Sequence, residues 1–252
     1  MSNMYPPNPP QPGVPYPGAV PSPNIDIGTI FSQAGKHFSK QLGVWVLATL
    51  IWLAAISCYA FFAVIVGIIP AIESAASGSN TEFVVSSFVG GVFLLLYALG
   101  SIAIAVLSII FNVNTYRNAV RAVQGEEVTI GDFYQLSGTG KAVVVSLLTG
   151  LIVFLGLLAC VIPGIVLSFL LCFVPISVWA KPELTVGGVL VDAYETFKRN
   201  FGISIVIVLI NGIIASLAAS VAVGMLFALP FVNLVLAITY FMIQQRPFAV
   251  LP

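Results

Sequence analysis

The residues best suited to chemistry are a single histidine, three cysteines and nine acids, and their spacing offers little of it. A zinc site draws on three or four protein ligands, and His37 has no cysteine or carboxylate cluster near it in sequence. It is expected on the polar face of a surface helix, facing solvent or headgroups. Cys58, Cys160 and Cys172 each sit inside an apolar run with no paired spacing, which reads as small hydrophobes rather than a disulfide or metal set. The adjacent acids Glu126 and Glu127, with Asp132 nearby, read as a solvated loop with acids at a helix start. Asp192 and Glu195 are expected to pair with Lys198 or Arg199 at short helical spacing. Serines are plentiful, but no G-x-S-x-G elbow presents one as a nucleophile. The inventory predicts no enzyme, no cofactor and no metal.

Composition explains that scarcity. Of 252 residues, 59% are hydrophobic and 7% charged, against about 25% charged in soluble domains. The class is therefore a membrane protein. Zero net charge argues against a nucleic-acid partner, which demands clustered Lys and Arg. Residues 1–24 hold nine prolines with no basic start and no apolar core, so no signal peptide is read there. They predict a disordered, polyproline-leaning tail, suited to docking a cytoplasmic partner that reads Pro motifs.

A bilayer core takes about 20 helical residues. Val44–Ile69, closed by Pro70, and Phe83–Val113 give two spans. The 39-residue apolar run Ala142–Ala180 is too long for one span and is expected to reverse at Ile162-Pro163-Gly164. Ile203–Leu229 and Phe231–Gln244, divided at Pro230, complete six. With six spans, Lys36, Lys40, Arg117, Arg121, Lys141, Lys181, Lys198, Arg199 and Arg246 all fall on one face. The opposite face carries Glu73 and Glu82. The positive-inside tendency makes the basic face cytoplasmic, with both termini there.

Three stretches share a pattern ahead of a membrane hairpin: Ile25-Asp26-Ile27-Gly28, Val128-Thr129-Ile130-Gly131 and Leu184-Thr185-Val186-Gly187. Asp or Thr can cap the helix that follows. A shift of 159 residues carries Val186, Val189, Leu190, Ala193, Phe197 and Phe201 onto Ile27, Ile30, Phe31, Ala34, Phe38 and Leu42, all apolar. This self-similarity predicts a repeat. Each unit is an amphipathic interfacial helix whose apolar face, including Phe31, Phe38, Phe197 and Phe201, rests in the acyl boundary. The fold class is thus an all-α integral membrane protein. It has six transmembrane helices in three hairpins, each preceded by an interfacial helix, over residues 25–246, with a short cytoplasmic C-terminal tail at 247–252.

The Thr-x-Gly units, the Ile162-Pro163-Gly164 hairpin and the stretch Ala193 to Phe201 resemble a broad bacterial group of small polytopic inner-membrane proteins. That group includes the membrane domain of some glycerophosphodiester phosphodiesterases. The resemblance implies a location in the plasma (inner) membrane and a fold; no phosphodiesterase catalytic residue carries over.

Inside the spans there is no Lys, Arg, Asp or Glu, which weighs against a proton-driven carrier. Gly212, Ser216, Ser220 and Gly224 recur every four residues, a flat stripe for close helix approach, within the protein or against a second copy or membrane partner. Asn211 is expected to bond between helices or, with Asn233, to line a cavity. The expected role is a non-enzymatic scaffold or accessory protein of the bacterial cell envelope. A transporter or lipid-handling protein with a pathway between hairpins is the alternative.

Overall fold

The computed structural model describes residues 19–20, 25–76, 80–221 and 223–251. The Pro-rich tail lies outside the described residues except for Ala19–Val20, strand β1. Helices follow in order: α1 (Ile27–Lys40), α2 (Leu42–Ala76), α3 (Asn80–Val123), a 3-10 turn (Ile130–Tyr134), α4 (Gly140–Ala159), α5 (Val161–Leu170), α6 (Val174–Ala180), α7 (Val186–Arg199), α8 (Phe201–Ala219) and α9 (Gly224–Ile243). Strand β2 (Phe248–Ala249) closes the described chain and pairs antiparallel with β1, Ala19 opposite Ala249.

Among the described residues, six helical stretches are long and apolar enough to cross a membrane: Leu42–Ile65, Gly91–Val123, Gly140–Ala159, Val161–Ala180, Phe201–Ala219 and Gly224–Ile243. The protein is an all-α, multi-pass membrane protein. The six-span count agrees with the hydropathy of the sequence, but the prolines punctuate it differently. α2 continues past Pro70 to Ala76. The 39-residue run Ala142–Ala180 turns at Cys160, extended at φ −171° and ψ 147°, rather than at Ile162-Pro163-Gly164, so Pro163 sits in the first turn of α5. There its missing N–H has no intrahelical partner to lose. Pro175 lies at the start of α6, after the turn at Leu171–Phe173. Pro230 lies inside α9, and the last two spans part between Ala219 and Gly224. Membrane helices tolerate an interior proline because neighbouring groups take up the freed carbonyl. The turn needs Gly224, whose added Cβ would come within 2.8 Å of the Ala218 Cα.

The spans are not equivalent. In α9, 72% of the span window is buried, against at most 33% in any other. Every residue from Asn233 to Ile243 is buried, and α1, α2, α3, α6, α7 and α8 all pack on α9. The apolar face of α1 packs here too: Phe31 and Phe38 lie 6.1 and 6.2 Å from the Phe231 ring. That corrects the expectation of a face in the acyl boundary. Ile30, Ala34, Val189, Ala193 and Phe197 are all buried inside the protein, while Phe201 is exposed. Helical periodicity reports that a face is covered, not what covers it. Five of the six pairs matched by the 159-residue shift are alike in burial; the exception is Phe38, half-buried where Phe197 is buried. Ile30 and Val189, and Ala34 and Ala193, are all fully buried, whereas Leu42 and Phe201 are exposed. Both helices start at a side-chain cap, Asp26 accepting from the Thr29 N–H and Thr185 from the Gly188 N–H. The middle stretch forms only the five-residue 3-10 turn.

α4 and α5 fold back on each other through two facing glycines. A Cβ on Gly156 would stand 3.1 Å from the Gly164 Cα, and one on Gly164 would stand 2.7 Å from the Leu157 backbone N. Substituting Gly164→Ala therefore forces the hairpin open and costs about 1–3 kcal/mol, read as a lowered unfolding temperature in detergent. Gly150→Ala on α4, where an added Cβ meets nothing within 4 Å, leaves it unchanged.

Candidate functional site

At the end of the bundle that carries the bases, the segments between spans lock together, and Asp192 on α7 is the densest junction. Its Oδ2 accepts from Ser177 Oγ on α6 at 2.5 Å and from Tyr240 Oη on α9 at 2.6 Å. Its Oδ1 accepts from Lys181 Nζ, just past α6, and from Gln244 Nε2 at 3.3 Å. Gln244 also donates to Thr196 Oγ1, one turn along α7. The expected pairing of Asp192 with Lys198 or Arg199 is not what forms. Lys198 lies 5.3 Å over the Tyr194 ring, and Arg199 donates to Gln244 Oε1 at 3.4 Å. Burial pushes the Asp192 carboxyl upward, but the bonds from Lys181, Ser177 and Tyr240 outweigh it and hold the group below its ordinary value. A carboxylate has about four acceptor positions. All four are engaged, so Asp192 fastens α6, α7 and α9 and has no free lone pair for acid–base work.

Gln33 and His37 stand on α1 where Asp192 and Thr196 stand on α7, by the same 159-residue shift. They fasten the end of the described chain. Gln33 brackets Leu251, donating to its carbonyl at 3.2 Å and accepting from its N–H at 2.9 Å. Lys36 Nζ donates to the same carbonyl at 3.1 Å. His37 Nε2 donates to the Ala249 carbonyl at 2.8 Å, and Phe248 is buried beside them. His37 is 3% exposed, which overturns its placement on a solvated face. Residues 246–251 form a strap docked on α1 rather than a loose tail. Burial is the main cause that lowers the His37 pKa below 6.5; the bond to Ala249 opposes it, and Lys40 lowers it further.

The middle segment is held the same way. Arg121 bridges Glu126 at 2.7 Å and Asp132 at 3.1 Å, so these acids clamp the loop to the end of α3 rather than floating in solvent. Burial raises the Asp132 carboxyl, yet the bonds from Thr129 and Arg121 bring it below its ordinary value. Phe133 is fully buried, edge-on to Trp45 at 5.1 Å and 5.9 Å from Phe111. Asn114 on α3 donates both amide hydrogens to the loop, to the Phe133 and Gln135 carbonyls. Gln41 spans the gap from α1, donating to the Glu126 carbonyl and accepting from the Val128 N–H. Lys141, at the start of α4, donates to the Pro182 and Leu184 carbonyls.

The small-residue stripe is divided. Gly212, Ser216 and Ser220 are exposed along α8, and the two serines bond back to their own helix. Gly224 serves the turn into α9. Asn211 donates to the Val232 carbonyl at 3.2 Å, tying α8 to α9, and Asn233 is buried in the packed face of α9. Cys58 is exposed on α2, Cys160 is exposed at the turn between α4 and α5, Cys172 is half-buried, and none is in a disulfide. Among the described residues no three His, Cys, Asp or Glu gather as metal ligands. The roles of Ser177, Lys181, Tyr240, Trp45, Asn114 and Asn118 escaped the sequence reading. Only the Asn114–Asn118 spacing, two amides four apart in an apolar helix, offered a signal.

Two outcomes follow. Asp192→Ala strands Lys181, Ser177 and Tyr240 and is expected to destabilise the protein by about 3 kcal/mol, seen as a lower unfolding temperature. For His37 the depressed folded pKa means its contribution is complete above about 6.5 and is lost as pH falls below that through the folded value. Unfolding temperature measured from pH 8 down to pH 5 should fall in that window, and His37→Gln should flatten the fall.

No family model matches the chain, and no solved structure matches it. Over 241 residues the chain is 26% identical to an uncharacterised protein of Mycobacterium tuberculosis, covering 92% of this chain and 72% of that protein. An uncharacterised protein of Mycobacterium bovis is similar to the same extent, 26% identical over 241 residues with the same coverage.

Proposed function

We propose that this protein is a non-enzymatic scaffold or accessory protein of the plasma membrane, with its polar, base-bearing end in the cytoplasm. The observation that carries the reading is the filled centre: Asn233 to Ile243 of α9 are buried without interruption. A pathway along the bundle axis would have to run through that packing. The charged groups support the same view, because Asp192, Arg121, Lys141, Lys36 and Asp132 hold segments together. The sidedness rests on the basic residues, which favour the cytoplasmic face.

As a scaffold it needs contact surfaces within the bilayer. α8 offers one, since Gly212 and Ser216 are exposed and an added Cβ on Gly212 meets nothing within 4 Å. Small residues allow a partner helix to approach closely. That partner is a second copy or another membrane protein, and the Pro-rich segment would add a cytoplasmic contact. A lipid-handling role is the second reading. It is favoured by Ser204 Oγ and Asn211 Oδ1, buried polar atoms on α8 without a partner among the described residues.

Gly212→Cys and Ser216→Cys, each in a background with Cys58, Cys160 and Cys172 replaced by Ala, test the contact in native membranes. Thiol crosslinking is expected to give a discrete larger species at both positions and none at Leu151→Cys, an exposed site on α4. Crosslinking no stronger at 212 and 216 than at 151 would remove the α8 seam. Normal recovery of all native partners after deletion of residues 1–24 would remove the tail contact.

A further inference from the structure

The first two spans carry four buried polar atoms that nothing else in the fold explains. Nε1 of Trp45, Oδ1 of Asn114, and Nδ2 and Oδ1 of Asn118 have no hydrogen-bond partner among the described residues. All three side chains are 0% exposed. Buried polar groups are nearly always satisfied, by protein or by ordered water.

Observed contacts relate the two spans that carry these atoms. α2 and α3 are antiparallel. Trp52 Nε1 donates to Ser108 Oγ at 3.4 Å, and the Trp52 ring stacks on Phe111 at 4.9 Å. Trp45 lies about two helical turns before Trp52, and two turns beyond Ser108–Phe111 on α3 is the Asn114–Asn118 stretch. Phe133 joins the two sides directly. Its ring meets Trp45 edge-on at 5.1 Å, and its carbonyl accepts from Asn114 at 3.2 Å. The other Asn114 N–H goes to the Gln135 carbonyl at 2.8 Å. With both hydrogens spent on the loop, the orientation of this amide is fixed, and Oδ1 must point away from it. Asn118 follows one turn later on the same face.

The chemistry of the set identifies its occupant. Trp45 Nε1 and Asn118 Nδ2 donate, while Asn114 Oδ1 and Asn118 Oδ1 accept. A water molecule accepts two hydrogen bonds and donates two. A cation is disfavoured, because Arg117 and Arg121 stand on the same turns of α3 and the acids Glu126 and Asp132 are already paired with Arg121. We infer that Trp45, Asn114 and Asn118 hold a buried water that bridges the first two spans beneath the 3-10 turn. A water with three or four such partners is a structural component and costly to remove.

A thermal double-mutant cycle in detergent on Trp45→Phe and Asn118→Leu tests the bridge. Each single substitution is expected to lower the unfolding temperature by several degrees. The double substitution is expected to lower it by clearly less than the sum, since both break one bridge. An unchanged or raised temperature for Asn118→Leu, or strictly additive losses, would overturn the assignment. If either variant fails to fold, an experimental density map of the wild-type chain decides. A peak within hydrogen-bond distance of Trp45 Nε1 and the Asn118 amide supports the site, and a direct Trp45–Asn118 contact with no peak refutes it.

Discussion

Lipid supplies no hydrogen bonds, so every polar group at membrane depth must be satisfied by the chain itself or kept out of the bilayer. In this protein that constraint decides where the side-chain chemistry goes. The spans carry almost none, and the segments that join them at one end carry nearly all. Those segments are short, irregular and rich in backbone groups that need partners. The side chains of Gln33, Gln41, Lys141 and Arg246 supply them, while Arg121 and Asp192 tie together side chains of neighbouring segments. The result is a polar layer that orients six helices from one end, while apolar packing around α9 holds α2, α3, α6 and α8, and α4 pairs with α5.

Two junctions in that layer follow one plan. On α1, Gln33 and His37 face inward and fasten the strap at Ala249 and Leu251. On α7, Asp192 and Thr196 face inward at the matching positions and fasten α6 and the end of α9. In each case a polar pair one turn apart interrupts an otherwise apolar face. Partners differ: α1 reads backbone, so an amide and a neutral imidazole suffice, whereas α7 meets Lys181 and needs a carboxylate.

Much of the architecture was legible because hydropathy and length report membrane spans directly; all six lie where the apolar runs lie. Helix caps were legible too, since Asp26 and Thr185 act locally. Proline was misleading. Pro70 and Pro230 were read as stops and lie within helices, because an apolar neighbourhood keeps a helix intact across one missing bond. The polar layer was mostly illegible. Asp192 lies near Lys198 and Arg199 in sequence, but its partners Ser177 and Tyr240 come from other helices and are set by tertiary packing. The same holds for His37, whose partner Ala249 is 212 residues away.

The proposal that the base-bearing end of the bundle faces the cytoplasm is open to a direct labelling test. Glu127→Cys, in the loop after α3, and Glu183→Cys, between α6 and α7, probe it in a background without Cys58, Cys160 and Cys172. Both positions are exposed. A membrane-impermeant thiol reagent should leave both unlabelled in intact cells and label both in inside-out vesicles. Labelling of either from outside intact cells would contradict the account.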